Sequence, residues 1–428
     1  MNTREISLKI IEKILRGYSL EKATQELNIF NNLDKRNKSF IRMLVLTFLR
    51  RNGEVDLVID RYVKKPLRKK DEKLKNILRI GITQILYLEV SDHASTFTSV
   101  EITKKYYRGF ESFVNAILRN VCRERSKILH TLNPLNNLPE WIKGGLYEHI
   151  KAKDIDAIAK TVVEIPSLDI HFRSKEIINE IWVKKLKGKV ILKNIVRFKN
   201  VGEIENIPKF NQGEWWIQSV AASIPCLIIE NLLIKNRTKK RIIEVGSAPG
   251  GKTLQLCNAG FKVTAVEKSS RRVLNLKENL KRMNFKPEIV CNDILFLDMP
   301  KFFDCALIDA PCSASGIIQK KPEILVQKKN LESLIIQQER ILQKTSTLIK
   351  KNGIIVYAVC SLIFKEGRGQ INNFLKKNRN YKKIDLSRIG SNFDCHINNG
   401  DIIVSPLNYK RFGGADGFFI SCLRYIGE

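Results

Sequence analysis

Residues Ile242-Ile243-Glu244-Val245-Gly246-Ser247-Ala248-Pro249-Gly250-Gly251-Lys252-Thr253 constrain this chain more than any other stretch. A β-branched run feeds a glycine-rich turn, and Leu254 and Leu256 continue it with an apolar helical pattern. That order reads as strand, tight loop and helix N-terminus. Glycines permit close backbone approach, and free N–H groups with the helix dipole favour an anionic or ribose-bearing ligand. Read literally, residues 246–253 also fit G-x-x-x-x-G-K-[ST], the phosphate loop of nucleotide hydrolases. The loop therefore predicts a nucleotide-like ligand, and its surroundings must say which.

From Trp215 onward, apolar β-branched runs at 242–245, 263–266, 288–291, 305–308 and 353–358 alternate with helical patterns. Examples of the latter are Val273/Leu276/Leu280/Met283 and Leu331/Leu334/Ile335/Gln338/Ile341/Leu342/Leu348. The alternation predicts a parallel, doubly wound sheet covered on both faces. Residues 401–404 and 418–423, separated by Gly413-Gly414-Ala415-Asp416-Gly417, predict an antiparallel pair at one edge of that sheet.

The predicted strand ends select the ligand. In a nucleotide-binding βαβ unit an acid roughly 20 residues beyond the glycines meets a ribose, and Glu267 stands there. Asp293 and Asp309 close the next two strands, where ligands of open α/β sheets bind. Three carboxylates suit hydroxyls and an amine, and they repel a triphosphate unless magnesium intervenes. An ATPase can use Lys252, Thr253 and Asp309, yet Pro249 removes an N–H that a phosphate loop would need, and Glu267 is left without a task. S-adenosylmethionine, a nucleoside with a cationic sulfonium and no phosphate, fits the acidic strand ends better.

Two thiols join them. Cys312 follows Pro311 beyond the fourth predicted strand, and Cys360 follows Val359 at the tip of the fifth, so both face one crevice. A buried free cysteine is commonly a small hydrophobe, which is the reading for Cys122, Cys226, Cys257 and Cys305. At two adjacent strand tips a chemical role is favoured. Cytosine C5 is too weak a nucleophile to take a methyl group unaided. A thiolate adding to C6 makes C5 enamine-like, and loss of the C5 proton then expels the enzyme. Asp309 is placed to stabilise the ring as charge develops, and a second thiol could assist release.

Composition sets the partner. The 428 residues carry 75 Lys+Arg against 44 Asp+Glu, a net charge of +31, and exceed one ordinary domain. Such an excess draws a protein onto nucleic acid by counterion release, although the Lys-, Asn- and Ile-rich composition is also what AT-rich coding produces. The nine cysteines form no C-x-x-C pair and the five histidines show no metal-ligand spacing, so no metal is expected. With no signal peptide pattern and no apolar run near the ~18–20 residues of a membrane helix, the chain reads as a soluble, cytoplasmic monomer.

Residues 1–132 read as entirely helical, with Ile10, Ile11, Ile14, Leu15 and Tyr18 on one face and basic clusters at 34–36, 50–51 and 64–73. Residues 131–139, with two prolines and three asparagines, read as a linker, and 133–210 as a small connecting domain of mixed strand and helix. Asp34-Lys35-Arg36, Leu78-Arg79-Ile80-Gly81 and Phe113-Val114-Asn115-Ala116-Ile117-Leu118-Arg119 make the first segment resemble the NusB-like RNA-binding fold.

Ser247-Ala248-Pro249-Gly250-Gly251-Lys252-Thr253, Asp309-Ala310-Pro311-Cys312-Ser313, Cys360-Ser361 and Asp416-Gly417-Phe418-Phe419 resemble, in order, the motifs of the Nop2/Sun family of RNA cytosine-C5 methyltransferases. With a NusB-like domain upstream, the whole chain resembles the bacterial branch that acts on 16S ribosomal RNA, free or in a small-subunit particle. The resemblance implies three parts: an all-α NusB-like domain (1–132), an α/β connecting domain (133–210) and a Rossmann-like S-adenosylmethionine-dependent methyltransferase domain (211–428). It implies that Gly246, Ser247, Ala248, Pro249, Gly250, Gly251, Lys252, Glu267, Asp293 and Asp309 hold the cofactor. Cys360 would be the nucleophile, Cys312 the residue aiding release, and Lys252 a neighbour of the base. Departures occur at Gly246-Ser247, Ser219, Gln319-Lys320-Lys321, Val359 and 364–368. They leave open a second function, an RNA-binding assembly factor with a vestigial methyltransferase domain, beside the ATPase.

Overall fold

The computed structural model describes residues 2–199, 201–235 and 237–427. Two compact units make up the chain, Met1–Ile165 with Ile318–Lys329 and Pro166–Ile317 with Asn330–Glu428.

The first unit is helical. Thr3–Leu15, Lys35–Arg50, Asn52–Tyr62, Glu72–Tyr87, Asp92–Tyr106 and Glu111–Arg123 are its longer helices, and no strand occurs among its described residues. Ser or Asp side chains accept from the first turns of several, as Asp34 does from Asn37 N at 2.8 Å. Ile10, Ile11, Ile14, Leu44, Val45, Phe48, Leu78 and Leu118 share one buried core. Beneath it Arg79 clamps Asp56 through two bonds of 2.7 Å and reaches Glu72 at 2.6 Å. Burial raises the Asp56 pKa, but that paired guanidinium outweighs it and the net shift is downward.

Residues 131–139 are no free linker. Pro134–Asn137 forms a 3-10 turn. Asn137, almost fully buried, accepts from Glu54 N at 3.0 Å. Gly53 lets this strap close in, since a Cβ there would sit 1.9 Å from Asn136 O. The asparagines that suggested a loop are turn and capping residues of a packed one. Glu140–Tyr147 and Ala152–Val162 also fall in the first unit, as does the Gln319-Lys320-Lys321 segment, where Arg50 donates to Gln319 O at 3.3 Å. The compact units thus cut across the stretch 133–210; domains ending at 132 and 210 are kept as a proposal.

The second unit holds two sheets. β1 (Leu168–Phe172), β2 (Lys189–Leu192), β3 (Ile195–Phe198) and β4 (Trp215–Ile217) form an antiparallel sheet in the order β2-β3-β1-β4. Asp169 of β1 takes a two-pronged pair from Arg197 of β3, at 2.6 and 2.8 Å, and a bond from Val220 N at 2.9 Å. The pair is buried, and the third donor completes its hydrogen bonding.

The second sheet contains β5 (Arg241–Val245), β6 (Lys262–Val266), β7 (Glu288–Val290), β8 (Phe303–Asp309), β9 (Ile349–Val359), β10 (Tyr381–Ile384), β11 (His396–Asn398), β12 (Asp401–Val404) and β13 (Phe418–Tyr425). Its order is β11-β12-β13-β9-β8-β5-β6-β7, with β10 also pairing β13. β5 to β9 are mutually parallel where they pair, as the strand–helix alternation predicts. Alternate residues feed two cores: Ile354, Val356 and Ala358 enter one, Ile355, Tyr357 and Val359 the other.

The expected antiparallel edge pair is corrected. β12 and β13 do pair, but β13 lies inside the sheet between β12 and β9, and β11 forms the edge. β13 is buried at seven of its eight positions, the mark of a strand covered on both faces.

Candidate active site

Parallel register brings the C-terminal ends of β5 to β9 to one rim. Val245 stands opposite Ile308 and Val266, and Asp309 opposite Ala358. Gly246, Glu267, Cys312 and Cys360 therefore leave the sheet on the same side, where open α/β sheets bind ligands.

The loop after β5 is shaped by two glycines. Gly246 has φ +80°, and a Cβ there would meet Asp309 O at 2.5 Å. Gly250, at φ +112°, caps the helix Gly251–Asn258. Ala248 N donates to Glu267 at 3.4 Å, and Glu267, 2% exposed, also accepts from Ser269 N and pairs with Arg272 at 2.9 Å. The Ser247 hydroxyl is buried with no hydrogen-bond partner among the described residues. An orphaned hydroxyl and a carboxylate beside a helix N-terminus fit the hydroxyls and amine of a nucleoside ligand. Asp293 follows β7 and accepts from Leu295 N at 3.1 Å, capping the turn Ile294–Phe296.

Lys252 ends the loop. Its Nζ lies 2.7 Å from Asp309 Oδ2 and 5.5 Å from the centre of the Phe418 ring. Burial pulls the Lys252 pKa down, but Asp309 more than offsets it and the net shift is upward, so the amine stays protonated. The two thiols meet: Cys312 Sγ and Cys360 Sγ are 3.4 Å apart. The Cys312 thiol is pushed well above its usual range by its bond to Cys360, by burial and by nearby Glu366.

Glu244, in β5, accepts from Thr253 Oγ1 at 2.6 Å and is 1% exposed. Burial pushes its pKa up from 4.5 to about 8, with Thr253 and Lys252 opposing. Between those values the folded protein keeps a proton that the unfolded chain releases. Stability falls as pH rises through that window, by roughly 3–5 kcal/mol. Glu244→Gln keeps the acceptor for Thr253 and removes the titration. Its melting temperature should match the parent near about pH 5 and exceed it by several degrees near about pH 9. A gap that stays constant across that range would show that Glu244 does not titrate there.

With this geometry in place, comparison with known proteins is informative. A family described as 16S rRNA methyltransferase RsmB/F matches residues 231–424, and the NusB family matches residues 1–123. The chain is an RNA methyltransferase, with the RsmB/F match lying over its residues 231–424. It is 27% identical over 441 residues to ribosomal RNA small subunit methyltransferase B of Photorhabdus laumondii, covering 99% of this chain and 98% of that one. The corresponding Pasteurella multocida protein is 26% identical over 459 residues, covering 100% and 96%. In fold, the methyltransferase is similar to the crystal structure of PH0851, with a TM-score of 0.74, 20% identity and 99% coverage of both chains. NSun6 from Pyrococcus horikoshii, solved with SFG, gives a TM-score of 0.58 at 17% identity over 68% of this chain and 99% of that one. The NusB-like and methyltransferase parts expected from the sequence are both present.

Sequence reasoning passed over a group behind the thiols of this methyltransferase. Ser313 and Ser361, each following one cysteine, donate to the buried Glu366, and Ser315 Oγ lies 3.0 Å from Ser361 Oγ. Their signal was only a serine after each thiol and one acid in 364–368. The departure at Val359 removes nothing from the rim, because that side chain is fully buried in the core.

Proposed function

We propose that this protein methylates C5 of a cytosine in 16S ribosomal RNA with S-adenosylmethionine, through a transient bond between Cys360 and C6 of the base. The observation that carries this reading is the pair of thiols 3.4 Å apart at neighbouring strand tips, beside the Lys252–Asp309 pair. The matched family is one of 16S rRNA methyltransferases, which supports ribosomal RNA as the substrate, with S-adenosylmethionine as the cofactor. The NusB-family segment and the net charge of +31 suit a polyanion.

When bound, S-adenosylmethionine supplies an electrophilic methyl group. Gly246, Ser247, Ala248, Pro249, Gly250, Gly251 and Lys252, with Glu267, Asp293 and Asp309, are the residues that would hold it. The chain's own chemistry begins at Cys360, whose thiolate adds to C6 and forms a C–S bond. The electron pair moves into the ring toward N3 and O2. There the Lys252 cation, held in place by Asp309, meets the developing charge without reorganisation. C5, now enamine-like, takes the methyl group. Water takes the C5 proton, the C–H electron pair re-forms the C5=C6 bond, and the C–S pair leaves with Cys360 as its thiolate. Cys312, a thiol held protonated and in contact with Cys360, assists that departure. No group of three His, Cys, Asp or Glu arranged for a metal occurs among the described residues, and we propose no metal. A cytoplasmic monomer completes this reading; no described helix is long and apolar enough to cross a membrane.

Bisulfite sequencing of 16S rRNA from a strain lacking the gene tests it. One protected cytosine should become convertible, and a plasmid copy should restore protection where a Cys360→Ser copy does not. Unchanged protection in the deletion strain would reject the assignment. The vestigial reading predicts in addition no heat of S-adenosylmethionine binding at millimolar cofactor.

A further inference from the structure

Glu366 is fully buried within the methyltransferase, six residues beyond Cys360. Its Oε1 accepts from Ser313 N at 2.7 Å and from Gln338 Nε2 at 3.1 Å. Its Oε2 accepts from Ser313 Oγ at 2.6 Å and from Ser361 Oγ at 2.5 Å. Four donors converge on one carboxyl group, and three come from the residues that directly follow the two cysteines. Nothing on the rim itself needs an acid at this depth.

The surrounding bonds hold Glu366 in turn. Tyr357 of β9 donates its hydroxyl to the Glu366 carbonyl at 2.8 Å. Gln338, held by Gln370 at 3.2 Å, donates also to Pro311 O at 2.9 Å, on the other side of Cys312. Ser361 Oγ accepts from Ile363 N at 3.1 Å, and Ser315 Oγ lies 3.0 Å from Ser361 Oγ and accepts from Leu362 N at 3.2 Å. The Cys312 loop comes from β8 and the Cys360 loop from β9, and β-ladder bonds end at Asp309 and Ala358. Beyond that point Gly316 N bonds Cys360 O at 3.0 Å and Leu362 N bonds Ser315 Oγ, and the carboxyl group of Glu366 adds the shared acceptor for the residues that directly follow the two cysteines. Without it, the serines directly behind the two sulfurs would lose their common acceptor, leaving the Gly316–Cys360 and Leu362–Ser315 bonds farther along the loops.

We propose that Glu366 is a positioning residue for the two-thiol reaction: it bridges the Ser313 and Ser361 loops and so sets Cys312 within reach of Cys360. This inference rests on the two-thiol reading given above. Glu366 is fully buried and its carboxyl bonds go to Ser313, Ser361 and Gln338, so it acts through the two loops. Its role is to make the second thiol available when the C–S bond to Cys360 must break, so its loss should affect release more than substrate capture.

Glu366→Ala removes all four acceptor contacts. Glu366→Gln keeps the shape but puts an NH2 group against either the Ser313 N–H and the Gln338 amide, or two hydroxyls that must reverse. Both variants would be compared with the parent and with Cys312→Ser, using 16S rRNA from a deletion strain and labelled S-adenosylmethionine. A displacement near 1 Å costs about 100-fold in rate, so kcat should fall about 100-fold in Glu366→Ala and about tenfold in Glu366→Gln, with KM for RNA within about threefold. Covalent protein–RNA adduct on a denaturing gel should rise in both, toward the Cys312→Ser level, while cofactor affinity by calorimetry stays at the parent value. A purely structural role would lower melting temperature and active fraction, and leave kcat per cofactor-binding molecule and adduct level unmoved. That result in Glu366→Gln overturns the proposal even if Glu366→Ala does not fold. Failure of the parent to methylate, or of Cys312→Ser to trap adduct, overturns the two-thiol reading and this inference with it. Parent-like variants beside a working parent and a trapping Cys312→Ser overturn this inference alone.

Discussion

Cys360→Ser is expected to reduce methyl transfer by at least ~10⁴-fold, a barrier increase of ~5 kcal/mol at ~1.4 kcal/mol per decade. The substitution preserves volume at a half-buried position but replaces a thiol by a hydroxyl, which is scarcely ionised at neutral pH. Ground-state binding should survive. The cofactor loop lies on β5 and the neighbours of Cys360 are held through backbone, as in the bond from Gly316 N to Cys360 O at 3.0 Å. The expected signature is therefore a collapse of kcat with RNA and cofactor affinities within a few-fold of the parent. Measurable turnover within about tenfold of the parent would place the nucleophile elsewhere.

Cys312→Ser should give the opposite phenotype, a trapped enzyme. Cys360 remains free to add to C6 and the methyl group to be accepted, yet the partner at 3.4 Å that assists C–S cleavage is gone. A protein–RNA adduct resistant to denaturant should accumulate to near one per enzyme, while multiple turnover falls by about 10²–10³-fold, the usual range for loss of one acid–base group. The double variant Cys312→Ser/Cys360→Ser should show no adduct, which separates a covalent trap at Cys360 from incidental cross-linking. Adduct in the double variant, or full turnover in Cys312→Ser, would contradict the division of labour between the thiols.

Much of this site was legible before any coordinates. The strands carrying Gly246, Glu267, Asp309 and Cys360 announce themselves as short apolar runs between amphipathic helices, and parallel topology then places their ends together. Lys252 changed meaning in the process. As a phosphate-loop lysine it would face a triphosphate, whereas its amine is bound to Asp309. Other features were hidden by short, polar sequences: β10 contains Lys382 and Lys383, and β11 is only His396–Asn398. The expected edge pair of 401–404 with 418–423 does form, but β11 lies beyond it, and the run Phe418-Phe419-Ile420-Ser421-Cys422-Leu423 is almost continuously apolar, the pattern of an interior strand. Glu366 could not be recognised from sequence. An acid in a loop looks solvated until the serines that bury it are brought together from two separate strands.

The interior position of β13 ties completion of the site to a strand made after both cysteines. Gly417 N bonds Gly316 O at 2.7 Å, and a Cβ on Gly316 would come within 2.0 Å of Gly417 O, so the turn into β13 lies directly against the Cys312 loop. During synthesis the cysteine-bearing strands emerge first and wait for it. Until Phe418 and its neighbours arrive, the long flank of β9 has no partner, and an open apolar strand edge is a template for aggregation. A chain interrupted before that point is thus disposed to be removed as a sticky fragment rather than to persist as a half-formed enzyme with a reactive thiol on a basic, RNA-seeking body. β13 acts as a checkpoint on manufacture: the chemistry becomes available only once synthesis has passed that strand.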